Sequence, residues 1–402
     1  MDPTATRSAE SPPGRPNGGA RLPLLDVLRG TAVLGTLGTN VWLFAAPGAE
    51  AAVLFNGAAL APVAAVAADP SVATVLEAIV RFAANGKFLA LLTVLFGVGL
   101  AIQYRSAERH GRAWPGAYPR RALFLFAEGA VHFTLVFAWD VLMGYAVTAL
   151  VVAWLLARTE RARRIALWTA AVVHGLLMVL LTWGLSAQAT GTGAPADVVG
   201  LYAQGGYLEQ IAFRMEHAVP LRLEPVISFA MMVVLFLVGV RLFRAGAFGD
   251  DAAARRIRAR LMAWGLGLGL PLNIATTLAG PSFTFADRYL AAPLVALGLI
   301  GLIGWALDRV RRPGVLVTSL SSLGRTALSG YVLQNVLCVL ACYGFGLGLA
   351  STLAGTGPWW VLGLWAAVCL VLLTASTLWL RRFRHGPSEA VQKWTLAKLP
   401  ER

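Results

Sequence analysis

Read as alternating apolar and polar runs, the chain is a series of long hydrophobic stretches separated by short charged seams. A helix of roughly 20 apolar residues is long enough to cross the hydrocarbon core of a bilayer. Such runs predict spans near 24–45, 87–104, 120–138, 141–157, 165–186, 225–243, 260–279, 288–307, 324–349 and 358–380. A shorter helix is expected over Val72–Ala84, on the outer face. The predicted fold class is all-α: a polytopic membrane helical bundle of about ten transmembrane helices. The runs divide the chain into a tail (1–20), an N-terminal membrane half (21–186), an outer loop (187–224) and a C-terminal membrane half (225–402).

Composition agrees with the pattern. The chain is 57% hydrophobic and 13% charged, where a soluble domain is about 45–50% apolar and about 25% charged. The net charge of +14 first suggests a nucleic-acid partner. The basic residues, however, sit in the seams between apolar runs, which is the pattern of positive-inside topology. With the N-terminus inside, only Arg81, Lys87, Arg214, Arg222 and Arg288 of the 34 Lys and Arg fall outside. That asymmetry predicts both termini in the cytosol of a multi-pass protein of the bacterial inner (plasma) membrane. The first twenty residues are rich in Pro, Gly and Ser and lack an apolar h-region; they read as a disordered cytosolic tail and not as a signal peptide. Cys338, Cys342 and Cys369 all lie in apolar stretches with no metal-ligand spacing, so no metal site is expected. The segments "GVGLA" and "GLGLGL" fall inside spans, where glycine lets helices approach closely.

The candidate chemistry is the polar groups placed inside apolar runs, which are costly and by default suggest a site. In the first run, Thr36 and Asn40 each fall within about 20° of Arg29 on a helix, with Arg29 and Asn40 roughly 16 Å apart along the axis. Asp26 precedes Arg29 by three residues and can pair with it; the bland reading of that pair is an interfacial anchor with Arg29 snorkelling. Gly30, Gly35 and Gly38 let another helix pack close. In the third run, Glu128 and His132 share a face and Asp140 follows at the outer turn. An imidazole beside a carboxylate equips a general base, a proton relay or a plain structural hydrogen bond, and spacing does not separate these. His174 stands alone, which favours packing or one interhelical hydrogen bond, and His217 beside Glu216 is a weaker candidate. Lys87 opens the second run and reads either as a headgroup anchor or as a pocket cation.

Several segments carry a family likeness. "RLPLLDVLRGTAVLGTLGTNV", "NGKFLALLTVLFGVGLA" and "GAVHFTLVFAWDVLMGYAV" resemble the YeiB-like bacterial membrane proteins, and "LGRTALSGYVLQNV" and "HGPSEAVQKWT" resemble landmarks of their C-terminal domain of unknown function 418. The N-terminal half also resembles the transmembrane acyltransferases, including the heparan-α-glucosaminide N-acetyltransferases, in an Arg followed by ten residues and then Asn: Arg29 and Asn40. The resemblance implies transfer of an acyl group from a cytosolic acyl-CoA, usually acetyl-CoA, used as co-substrate and not as a tightly bound cofactor. The chain lacks those enzymes' histidine just before the second span, so His132 would serve in its place. Arg29, with Arg120 and Arg121, would attract the donor phosphates. Asn40 would orient the acyl carbonyl, and His132, held by Glu128 or Asp140, would deprotonate the acceptor. The rival reading is a transporter of a small anionic or amphipathic metabolite, with Lys87, Arg214 and the polar stripe along its path and Glu128–His132 as proton relay; a structural role is the third. The expected partners are the lipid bilayer and a small-molecule substrate, with a homodimer left open and no nucleic acid.

Overall fold

The computed structural model describes residues 22–55, 63–186 and 193–398. Among these residues every regular element is helical. The tail expected over 1–20 lies outside the described residues. The helices that build the bundle are α1 (Pro23–Ala45), α2 (Val72–Ala84), α3 (Lys87–Arg109), α4 (Tyr118–Leu135) and α5 (Leu142–Leu156). Next come α6 (Glu160–Ser186), α7 (Ala196–Gln204), α8 (Tyr207–Glu216) and α9 (Phe229–Arg244). The series ends with α10 (Ala252–Leu278), α11 (Pro281–Leu307), α12 (Val315–Arg325), α13 (Ala327–Cys342), α14 (Trp359–Arg382) and α15 (Pro387–Lys398).

Each of the ten apolar runs overlaps a helix, but length and composition support fewer spans than the runs suggest. Five stretches are long and apolar enough to cross a membrane: α2–α3 together, α6, α10, α11 and α14. A sixth follows if α12 and α13, bent by 94° at Thr326, count as one broken span. The protein is thus a helical membrane protein. α1 has the length, 23 residues, but its polar groups lower its hydropathy. It is sheathed by other helices: α2, α3, α11, α12, α13 and α14 all pack on it. The stretch 187–224, expected as a loop, contains α7 and α8.

Helix association in lipid gains little from apolar burial and depends on close packing and polar contacts. Glycines supply the close approach here. A Cβ on Gly324 of α12 would lie 1.8 Å from the Asp26 carbonyl oxygen of α1, and one on Gly30 would lie 2.1 Å from the Leu320 carbonyl oxygen. The α3–α9 crossing is built the same way, with Gly97 against Phe236 and Gly239 against Val94. At the chain's end, α15 docks on the start of α13, where Glu389 accepts the Leu328 N–H at 2.9 Å and the Ser329 hydroxyl at 2.5 Å. α13 also packs on α1, and the candidate site lies where His132 of α4 meets Asn335 of α13.

Candidate functional site beside the first helix

α4 comes apart at its end, where the N–H groups of Val136 and Phe137 both bond the His132 carbonyl. The connection to α5 then runs against Glu50, through the Ala138 N–H, and Asp140 turns back toward α4. One Asp140 oxygen, Oδ2, accepts the Met143 N–H at 3.2 Å near the start of α5. The other, Oδ1, lies 3.3 Å from His132 Nδ1, with both side chains sealed from solvent. Gly129 leaves room for this carboxylate, since a Cβ there would lie 2.7 Å from Asp140 Oδ2. On the far side of the ring, His132 Nε2 accepts from Asn335 Nδ2 of α13 at 3.1 Å. Nδ1 faces Asp140 Oδ1, and neither of those two atoms has a hydrogen-bond partner among the described residues. Tyr331, one turn earlier on α13, lies over the imidazole with centroids 5.1 Å apart. Arg222 holds the connection's backbone through the Asp140 carbonyl at 2.9 Å.

In front of Tyr331 lies a cavity of about 30 Å3, lined by Thr36, Asn40, Trp139, Glu224, Arg288 and Tyr331. A second, of about 20 Å3, is lined by Asp140 and Tyr145 and shares Leu89, Val141 and Glu224 with the first. Each has room for a water molecule or two. Arg288 is neutralised within the wall: it donates to Glu224 at 3.1 Å and to Asn85 at 2.8 Å, and the Tyr289 hydroxyl donates to the same Glu224 oxygen at 2.5 Å.

The expected site residues divide by position. Asn40 and Asp140 line adjoining cavities, and His132 stands one ring behind, next to Tyr331. Arg29 does not join them. It pairs with Asp26 at 3.7 Å at the basic end of α1, close to Gly99 of α3 and to Arg121. Arg120, half-buried, begins α4 at that same end. Glu128 is not the partner of His132, whose two nitrogens face Asp140 and Asn335; Glu128 faces Ser388 and Glu389 of α15. Lys87 and Arg214 do not line the cavities. Lys87 is buried, with its ammonium donating to the Phe82 carbonyl at 2.5 Å. Arg214 is fully buried against Glu50. His174 makes one interhelical hydrogen bond, to the Tyr289 carbonyl at 2.8 Å. His217 stacks on Phe213. The three cysteines carry no disulfide, and among the described residues no group of ligands could hold a metal ion.

Several residues at the site gave no sequence signal. Glu50 sits in an apolar loop, yet it organises everything above the cavity. It receives Arg214 Nε, the Tyr202 hydroxyl at 3.0 Å and the Ala138 N–H at 2.7 Å, and its own carbonyl accepts the Trp139 indole N–H at 2.9 Å. Burial, with Glu50 beside it, pushes the Tyr202 hydroxyl well above the ordinary phenol range. Asn335 and Gln334 are fully buried on α13, and among the described residues Gln334 has no hydrogen-bond partner on either amide atom. They lie within the quoted "LGRTALSGYVLQNV" likeness, which was a signal without an assigned role.

The chain is 26% identical over 399 residues to uncharacterized protein YxaH of Bacillus subtilis (strain 168), covering 92% of each chain. It is 28% identical over 386 residues to uncharacterized protein YeiB of Escherichia coli (strain K12), covering 91% of this chain and 93% of that one. Residues 242–398, from the end of α9 through α15, match the family described as protein of unknown function (DUF418).

Proposed function

We propose that the protein is a proton-coupled carrier of a small polar or anionic solute, with His132–Asp140 as the relay and the cavity beside Asn40, which must widen to admit the solute, as its site. The observation that carries this reading is that a fully buried imidazole–carboxylate pair lies beside a water-sized cavity that Asp140 helps to line. Buried ionisable groups in spans commonly serve as relays, and a small movement of the Asp140 side chain would bring the pair to cavity water. The 94° break between α12 and α13 supports the same reading. Discontinuous helices with buried polar side chains line the binding sites of many transporters, and here α13 brings Gln334 and Asn335 to the centre of the bundle. The charge asymmetry supports both termini on the cytosolic side, which puts the cavity toward the outer face.

The second reading is acyl transfer from a cytosolic acyl-CoA. It is favoured by one observation: Arg29 and Asn40 lie on one helix, with Arg121 close to the first and the cavity at the second. It requires Asn335 to release His132 Nε2 and the cavity to widen several-fold.

Both readings are tested on purified protein in liposomes. An entrapped pH dye reports proton uptake driven by acetate, lactate, succinate or phosphate, and free thiol reports acetyl-CoA cleavage. The carrier reading expects solute-dependent proton uptake that falls at least tenfold in His132→Asn and in Asp140→Asn. Uptake unchanged in both variants overturns it. Thioester cleavage by the wild type that His132→Asn abolishes moves the assignment to the second reading.

A further inference from the structure

At the basic end of the bundle, α6 and α9 leave between them a pocket of about 310 Å3. Its polar rim is Glu160, Arg163, Arg241 and Arg244, and its apolar wall includes Leu167 and Leu237. Three guanidinium groups against one carboxylate leave the rim with a charge of +2.

The three arginines are not equivalent. Arg163 is spent on the protein: Nε and Nη2 donate to Glu160 Oε2 at 3.2 and 2.8 Å, and Nη1 donates to the Leu156 and Arg158 carbonyls at 3.0 and 2.7 Å. Arg241 and Arg244 approach Glu160 only at 3.9 and 3.6 Å. Neither makes a side-chain hydrogen bond among the described residues, although Arg244 also lies over the Tyr104 ring at 5.6 Å. Two forked donors are therefore held over a cavity with their hydrogen-bonding capacity unspent. Such groups match the oxygens of a phosphate.

We propose that this pocket binds the phosphodiester headgroup of an anionic phospholipid, with Arg241 and Arg244 on the phosphate. Position separates this from a site for free phosphate. The pocket sits at the charged end of a spanning helix, α6, just before its exposed apolar residues Ile165, Trp168 and Val172 begin, which is the depth of bilayer headgroups. Basic clusters at that depth attract acidic headgroups.

The full chain, delipidated in neutral detergent, is titrated separately with short-chain phosphatidylglycerol, phosphatidylcholine and inorganic phosphate, and bound ligand is counted by native mass spectrometry. Phosphatidylglycerol is expected to bind at least tenfold more tightly than phosphatidylcholine. At roughly fivefold per basic residue at the headgroup level, Arg241→Ala/Arg244→Ala is expected to weaken it about 25-fold. Arg241→Lys/Arg244→Lys, which keeps the charge, is expected to retain the preference for phosphatidylglycerol. Arg309→Ala, at an exposed basic position elsewhere, is expected to change nothing. Equal affinity for the two lipids, no effect of the double alanine variant, an equal loss in Arg309→Ala or loss of headgroup preference in the lysine pair each overturns the proposal. Inorganic phosphate binding as tightly as phosphatidylglycerol overturns the lipid assignment in favour of a free phosphate.

Discussion

α1 and α6 are both long enough to cross a bilayer, and they solve opposite problems. α1 carries Asp26, Arg29, Thr36 and Asn40 and is enclosed by protein along nearly its whole length. In α6, the most apolar window is 17% buried, and Trp168, Leu176, Leu180 and Trp183 face outward. In water this arrangement would be inside out. In lipid the apolar face loses nothing by staying exposed, while polar groups must find partners or a wet cavity. The comparison teaches that position in this bundle is set by what a helix cannot show to lipid. α1 lies at the centre because its stripe must be covered.

The comparison breaks most completely at the α1–α12 crossing. Gly324→Leu would drive a Cβ against the Asp26 carbonyl, where backbone and not a flexible side chain is in the way. A cost above about 4 kcal/mol is expected, read as loss of a monodisperse peak in size-exclusion chromatography; a normal peak would show that the crossing can part. Next comes the knot around Glu50. Glu50→Ala leaves Arg214 buried with its charge uncompensated, an expected loss of about 3–5 kcal/mol. Thermal unfolding in detergent checks it, and an unchanged midpoint would show that Glu50 does not hold the segments around it. The smallest effect is expected on α6. Leu176→Ala, on the lipid face, should shift stability by no more than about 0.5 kcal/mol. A loss of 2–5 kcal/mol, the range for truncation in a packed core, would mean that α6 is covered by protein, as in a homodimer.

Much of the fold was legible because an apolar run of helical length is a direct physical signal. The number of spans was less legible. α1, α4, α5, α9 and α13 read as spans from their apolar residues, yet they are too short or too polar to meet the requirement alone. Part of the site was legible as well: Asn40, His132 and Asp140 announced themselves as polar groups in apolar surroundings, and they come together around Tyr331. What could not be read was pairing. His132 finds Asn335 at a separation of 203 residues, and Arg214 finds Glu50 at 164. The helical spacing that suggested Glu128 as the partner of His132 was real, but α15 supplied Glu128 with other neighbours.

By itself the sequence determined that this is a helical membrane protein, roughly where its helices run, and which few side chains could not face lipid. It did so because hydrophobic length and misplaced polarity are local properties. Only the tertiary structure decided that Asp140 and not Glu128 meets the imidazole, that Lys87 and Arg214 are sealed away from the cavity and that α1 lies at the centre. Each of those outcomes depends on contacts between helices distant in the chain, where glycine clearances and the need to satisfy buried polar groups select one packing.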